Sequence, residues 1–127
     1  MLEAIQTPNA PAAIGPYSQA IKAGGFLFLS GQIPLDPQTG KLVEGGIEAQ
    51  TEQVLKNIHA LLTAAGIDFS HVARSEVYLK DLNDFQAMNV IYTRYFSQDP
   101  KPVRQTLQVA KIPLDSRVEI SCIAVLS

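Results

Sequence analysis

An α+β fold is predicted by the order of periodic segments along this chain: strand, strand, helix, strand, helix, strand, strand. Two of these segments are amphipathic helices, and two helices cannot cover both faces of such a sheet. We therefore expect a two-layer sandwich in which a mostly antiparallel sheet carries both helices on one face. The 127 residues show no repeat or linker, so residues 1–127 are expected to form a single domain.

The N-terminal part of the chain predicts an ordered arm followed by a hairpin. Residues 7–16 contain three prolines and a glycine, a composition that argues against a helix. Residues 17–23 predict the first strand, and the pair Gly24 and Gly25 predicts a tight turn after it. The continuous apolar run at residues 26–31 predicts a second strand buried on both faces.

The remaining elements follow from changes in hydrophobic period. Residues 47–65 carry apolar side chains at helical spacing, and Gly66 is a natural C-terminal cap. A second helical stripe, at residues 85–96, is rich in aromatic side chains, which we interpret as core packing and not as a cofactor site. Alternating apolar and polar residues predict strands at 72–80, 103–110 and 117–126.

The last two predicted strands carry an arginine and a glutamate among apolar residues. We assign Arg104 and Glu119 to one sheet face, away from the helices, together with Ile123 and Val125. Such a mixed face favours burial against another subunit. The charged pair suggests a small site that binds a carboxylate and transfers a proton or positions a water. On the pattern alone, an exposed ion pair on an edge strand is the commoner explanation.

Composition excludes several classes of function. The net charge of -2 argues against a broad nucleic-acid footprint, and no phosphate loop or dinucleotide motif is present. Cys122 is the only cysteine, so no intrachain disulfide can form. His59 and His71 lack metal-ligand spacing. With no signal peptide and no apolar run near ~20 residues, we expect a cytoplasmic protein with no cofactor, no metal and no membrane association.

Four segments, in order and with similar spacing, resemble the Rid family of reactive-intermediate deaminases, also called YjgF, and within it the RidA-type subgroup. They read APAAIGPYSQA at 10–20, SGQIP at 30–34, KDLNDF at 80–85 and PVRQTLQVAKIP at 102–113 with VEI at 118–120. The resemblance implies a chorismate-mutase-like fold, a homotrimer with active sites between subunits, and hydrolysis of 2-iminobutanoate and 2-iminopropanoate to 2-oxo acids and ammonia.

The resemblance also implies roles for individual residues. Arg104 matches the arginine that binds the substrate carboxylate, and Glu119 matches the glutamate thought to orient or activate water. Tyr17 matches a tyrosine lining the pocket, whose ring could pack on the substrate's alkyl tail. Ser30 and Gly31 match the segment whose backbone N–H and hydroxyl approach the carboxylate.

Asn89 and Thr106 are the two remaining residues that the resemblance implies for the site. Asn89 matches a family asparagine near the cleft, although its position alone suggests an exposed polar residue on a helix. Thr106 stands where many RidA-type proteins have cysteine, and Gln105 stands where they have a small residue. No thiol mechanism or thiol regulation is then possible at that position, whereas a hydroxyl can still hydrogen-bond a ligand. We expect Cys122 to be a small core residue.

Two alternative functions remain open on the sequence. Some relatives are described as endoribonucleases that inhibit translation, against which stand the acidic balance and the lack of a basic, aromatic-interleaved stripe. The other alternative is a non-catalytic trimer that senses a 2-oxo acid or acts as a chaperone. Loss of Arg104 would distinguish a chaperone, which should not need that guanidinium.

Overall fold

The computed structural model describes residues 1–127 and contains one six-stranded sheet and two helices. The helices are α1 (Ile47–Ala64) and α2 (Phe85–Tyr95). The strands are β1 (Glu3–Ile5), β2 (Ala20–Ala23), β3 (Phe26–Gln32), β4 (Val72–Leu79), β5 (Val103–Gln108) and β6 (Val118–Val125). They lie in the order β1-β2-β3-β6-β4-β5, and only the β4–β5 pair is parallel. The predicted α+β class and the mostly antiparallel sheet are confirmed.

Both helices pack on one face of the sheet, as predicted. The i, i+3, i+4 spacing of apolar residues puts one stripe of α1 in the core, and Gly66 with φ 80° follows the end of this helix. The alternation of β6 sends every second side chain into the same core. The fully buried side chains shared by the two layers include Leu27, Val54, Leu55, Ile58, Leu61, Leu62, Val77, Leu79, Met88, Val118 and Ile120. Neither helix has the length and apolar character that a bilayer-spanning segment requires.

The opposite face of the sheet has no covering layer. Phe26 and Phe28 are each 43% exposed, whereas Leu27 and Leu29 between them are buried. The prediction that this strand is buried on both faces is therefore wrong. The reason is that an apolar run does not reveal how many layers cover it, and the two helices cover only one side. Two neighbours on β6, Ile123 and Val125, are also partly exposed.

Strand β1, which lies before the predicted strand at residues 17–23, was not predicted. Glu3–Ile5 is only three residues long and pairs with β2, a contact between distant parts of the chain that leaves no periodic pattern. The arm at residues 7–16 follows it without regular structure, as predicted. Gly24 and Gly25 have φ of 57° and 81° and form the predicted turn between β2 and β3.

The edge strand β5 faces the opposite way from the prediction. Tyr78 of β4 pairs with Leu107 of β5 and with Glu119 of β6. Paired residues share a face, so these three side chains lie on the uncovered side, and Arg104, three positions from Leu107, lies on the helix side. Placing Arg104 and Glu119 on one face was therefore wrong. Alternation separates the two sides of a strand but does not say which side meets the helices.

Candidate active site

The Arg104 side chain is held against α2 by aromatic rings and one amide. Its guanidinium carbon lies 4.7 Å from the centre of the Tyr92 ring and 5.4 Å from that of Phe85. Its Nη1 donates a hydrogen bond of 2.7 Å to the Asn89 side-chain oxygen. Stacking on two rings and one hydrogen bond fix the plane of the guanidinium before any ligand arrives.

Arg104 has no carboxylate partner. No Asp or Glu oxygen lies within 4 Å of its nitrogens, and the Asn89 oxygen is its one hydrogen-bond acceptor in the chain. A guanidinium has five N–H donors, so most of them remain available to a ligand. The neighbouring cleft has a volume of about 360 Å³ and is lined by Asn89, Tyr92, Thr93, Phe96, Lys101, Pro102 and Arg104. A half-buried arginine with free donors in a cleft can bind an anion, and its planar fork suits a carboxylate.

Thr106 lies on the same side of β5 as Arg104, two residues further on. Its hydroxyl oxygen is buried and has no hydrogen-bond partner. Buried hydroxyl groups are usually bonded, so this one would gain from a ligand or water that reached it. Thr106 does not line the Arg104 cleft.

The Glu119 side chain lies on the uncovered face and also has no partner. It makes no hydrogen bond or ion pair. The two arginines that could have paired with it have other partners: Arg104 bonds Asn89, and Arg117 pairs with Asp84 at 3.1 Å. The expected alternative, an edge-strand ion pair of Arg104 with Glu119, is therefore wrong. Burial raises the pKa of the Glu119 carboxyl above its ordinary value. A carboxylate without a partner and with a raised pKa is suited to take up and release a proton.

Gly31 allows Glu119 to lie where it does. A Cβ atom at Gly31 would be 2.2 Å from the Glu119 Oε2 oxygen, which is shorter than any real contact. The carboxylate therefore packs directly on the backbone at this point of β3, and only glycine leaves the space.

Glu119 opens into a second cleft, with a volume of about 550 Å³. Tyr17, whose side chain is 53% exposed, lines it together with Gly31 and Glu119. The other lining residues are mostly apolar, and they include Ile14, Ile33, Leu35, Pro37, Pro113 and Leu114. The structure thus brings Tyr17, Gly31 and Glu119 together, and it brings Arg104 and Asn89 together elsewhere.

Ser30 and Gln19 hold the Tyr17 segment in place. The Ser30 hydroxyl donates to the Ser18 carbonyl at 2.6 Å, and the Ser30 N–H donates to the Gln19 carbonyl at 3.0 Å. Both Ser30 donors are thus bonded within the chain. Sequence reasoning missed Gln19, whose amide is buried and donates to the carbonyls of Thr7, Ala10 and Pro11. No sequence pattern marks this glutamine, because its role depends on hydrogen bonds to backbone groups of the proline-rich arm.

The two clefts lie on opposite faces of the sheet and share no lining residue. One protomer therefore presents two half-sites, one with a free guanidinium and one with a free carboxylate. No group of three His, Cys, Asp or Glu residues is placed to hold a metal ion. Cys122 is buried in the core, where burial raises the pKa of its thiol to about 12.

Comparison with known proteins shows close relatives over nearly the whole chain. A family model described as endoribonuclease L-PSP matches residues 7–126. A RutC family protein from Pyrococcus horikoshii is 55% identical over 124 residues, which cover 98% of each chain. A 2-iminobutanoate/2-iminopropanoate deaminase from Mus musculus is 50% identical over 121 residues, which cover 95% of this chain and 89% of that protein.

Solved structures show the same fold. YyfA from Yersinia pestis, described as a member of the conserved Rid protein family, has a TM-score of 0.96 and 46% identity, covering 98% of this chain and 99% of its own. TdcF from Escherichia coli, solved with bound serine, has a TM-score of 0.93 and 40% identity, with the same shares of coverage.

Proposed function

This chain belongs to the Rid family, also called YjgF, and from that premise we propose that it hydrolyses 2-iminobutanoate and 2-iminopropanoate to 2-oxo acids and ammonia. The names of two relatives of this chain, Reactive Intermediate Deaminase A from Arabidopsis thaliana and the mouse deaminase, support imine deamination as the general reaction. The two substrates are those that the name of the mouse relative gives, at 50% identity.

The observation that carries the proposal is the free guanidinium of Arg104. A 2-imino acid has one permanent anion, its carboxylate, and a planar guanidinium can grip that group with two parallel hydrogen bonds. The rings of Tyr92 and Phe85 and the Asn89 oxygen already hold the guanidinium in one orientation. Binding then costs little ordering of the arginine, which favours affinity.

Glu119 is proposed to activate the attacking water. Water adds its oxygen to the carbon of the protonated imine while one of its protons passes to Glu119, which gives a neutral carbinolamine. Glu119 then returns that proton to the carbinolamine nitrogen, the C–N bond breaks to release ammonia, and the hydroxyl proton passes to the ammonia or to solvent as the carbonyl of the 2-oxo acid forms. The raised pKa of Glu119 suits both transfers, because a base works best when its pKa lies near the working pH. TdcF, 40% identical to this chain, was solved with bound serine, which supports a ligand of amino-acid size.

A complete site is proposed to need two copies of the chain. Arg104 and Glu119 point to opposite faces of the sheet, so one small substrate cannot contact both within a protomer. The uncovered face also exposes apolar side chains, namely Phe26, Phe28, Val103 and Leu107. We propose that these residues pack against another copy in a homotrimer, so that the Arg104 cleft of one subunit meets the Glu119 cleft of the next.

The test follows imine decay with a coupled dehydratase. Threonine dehydratase generates 2-iminobutanoate, and the purified protein should shorten its lifetime relative to buffer and to the dehydratase alone. Arg104→Ala should abolish the effect, because the substrate carboxylate loses its partner. Equal decay with and without protein, or full activity in Arg104→Ala, would contradict the proposal.

The alternative functions have less support. The family model carries the word endoribonuclease in its description, but the net charge is -2 and the Arg104 cleft adds only Lys101 as a second cation. A non-catalytic 2-oxo-acid sensor or chaperone would not need a carboxylate with a raised pKa. Loss of imine hydrolysis in Glu119→Gln with unchanged 2-oxo-acid binding would separate catalysis from sensing.

A further inference from the structure

Within the cleft that holds Glu119, most of the wall beyond the carboxylate is apolar. Ile14, Ile33, Leu35, Pro37, Pro113 and Leu114 line that part of it. In the proposed reaction, a water activated by Glu119 attacks the imine carbon. The substrate side chain attached to that carbon must then lie against some part of this wall. The shape of the wall then decides which side chains fit.

Two parts of the wall are fixed by buried amides. Gln19 is 4% exposed, accepts from the Thr7 N–H at 2.8 Å and donates to three carbonyls of the arm that carries Ile14. Asn57 of α1 is 1% exposed and donates to the carbonyls of Ile33 and Leu35 at 3.3 and 2.9 Å. Moving either segment would leave buried polar groups unpaired, which is costly. The cleft therefore cannot widen at Pro11, Ile33 or Leu35 without breaking hydrogen bonds.

The third part of the wall is a tight turn that presents Leu114. This residue has φ 58° and ψ 23°, a left-handed conformation that leucine rarely adopts, and Asp115 follows with φ 57°. The turn is held by an ion pair of 2.7 Å between Lys80 and Asp115 and by a hydrogen bond of 2.7 Å from the buried Ser116 hydroxyl to the Pro113 carbonyl.

This strained conformation does not serve core packing. Leu114 is 62% exposed, so its burial offsets little of the cost of holding leucine in an unfavourable backbone conformation. Strain of this kind that persists beside a cleft suggests a functional reason. Leu114 also lies five residues before Glu119 on the chain segment that enters β6.

We propose that Leu114 sets the size of the substrate side chain that the Glu119 cleft accepts. The inference rests on the proposed function, and it assigns Leu114 to specificity alone. Leucine at this position shortens the cleft, and a smaller residue would lengthen it because the other walls are held by hydrogen bonds. The residue therefore favours imines with short alkyl tails over imines with long, branched tails.

The test compares kcat/KM for two imines generated in place by an amino acid oxidase, one from alanine and one from leucine. Leu114→Ala should raise the ratio of leucine-derived to alanine-derived kcat/KM by at least about tenfold, because a single methylene in an apolar pocket already has an effect of that size and this change removes more. Leu114→Phe should lower the ratio. Leu82→Ala is the matched control, because Leu82 is 46% exposed and lies outside the cleft, and it should leave the ratio unchanged.

Thermal unfolding of Leu114→Gly supplies a second readout. Glycine adopts a positive φ without strain, so this variant should keep or raise the Tm while it widens the cleft. A ratio that stays at the wild-type value in the alanine, phenylalanine and glycine variants would overturn the inference while the proposed function stands. A wild-type protein that hydrolyses neither imine would overturn both.

Discussion

Replacing Gly31 with alanine should separate catalysis from stability at the Glu119 carboxylate. The new Cβ would lie 2.2 Å from Oε2, 3.0 Å from Cδ and 3.3 Å from Cγ of Glu119, whereas ordinary contacts begin at 3.4 Å. The carboxylate must therefore retreat by about 1 Å, a misplacement that can reduce catalysis roughly 100-fold. Gly31 is not among the glycines with positive φ, so alanine suits the backbone.

The assay measures kcat/KM for 2-iminobutanoate together with the Tm. We expect kcat/KM to fall about 100-fold in Gly31→Ala while the Tm changes little, because only a flexible side chain has to move. Gly46→Ala is the control, since its Cβ would meet Arg117 Nη1 at an ordinary 3.6 Å and activity should persist. Full activity in Gly31→Ala would refute the catalytic position of Glu119, and a large fall in Tm would refute the account of a movable side chain.

Three further predictions concern single side chains. Arg104→Lys should lower kcat/KM by about 100-fold, mainly by raising KM. The reason is that an ammonium cannot form two parallel hydrogen bonds to a carboxylate or stack on Tyr92 in the same way. A wild-type KM in this variant would contradict the role of Arg104 in binding the carboxylate. Burial raises the pKa of Glu119, so the folded state binds its proton more tightly than the unfolded state does. The free energy of unfolding therefore falls as the pH rises through the folded-state pKa, because the buried carboxyl must then become charged. Glu119→Gln should therefore raise the Tm at neutral pH while abolishing activity, and a lower Tm would show that the carboxylate is stabilised instead. Cys122 should react with a thiol reagent only after unfolding, since it is buried and its pKa is about 12, and rapid labelling of the native protein would contradict its place in the core.

Most of the fold could be predicted because its elements have clear periods. The stripe of α1, the alternation of β4 and β6 and the glycine pair at the β2–β3 turn each specify local structure, and all are found as predicted. Strand β1 could not be predicted from the sequence, because three residues are too few to show an alternation of apolar and polar side chains. Its pairing with β2 also joins parts of the chain that are separated in sequence.

The site residues were grouped incorrectly for a physical reason. Arg104 alternates with apolar Val103 and Leu107, which usually means that the arginine faces solvent and the apolar residues face the core. Here the edge strand presents Val103 and Leu107 to the uncovered face, where they are 61% and 46% exposed, and stacks the arginine on aromatic rings of α2. The roles of Gln19 and Asn57 depend on contacts to distant backbone groups, which a sequence pattern does not report.

The most direct test of the two-half-site account mixes two inactive variants. Arg104→Ala retains the Glu119 cleft and Glu119→Gln retains the Arg104 cleft, and each alone should fail to hydrolyse 2-iminobutanoate. After unfolding and refolding together in equal amounts, a shared site with random assembly should restore about a quarter of wild-type activity, because half of the subunits supply each intact side chain. A mixture that stays as inactive as the separate variants would contradict a site built from two subunits.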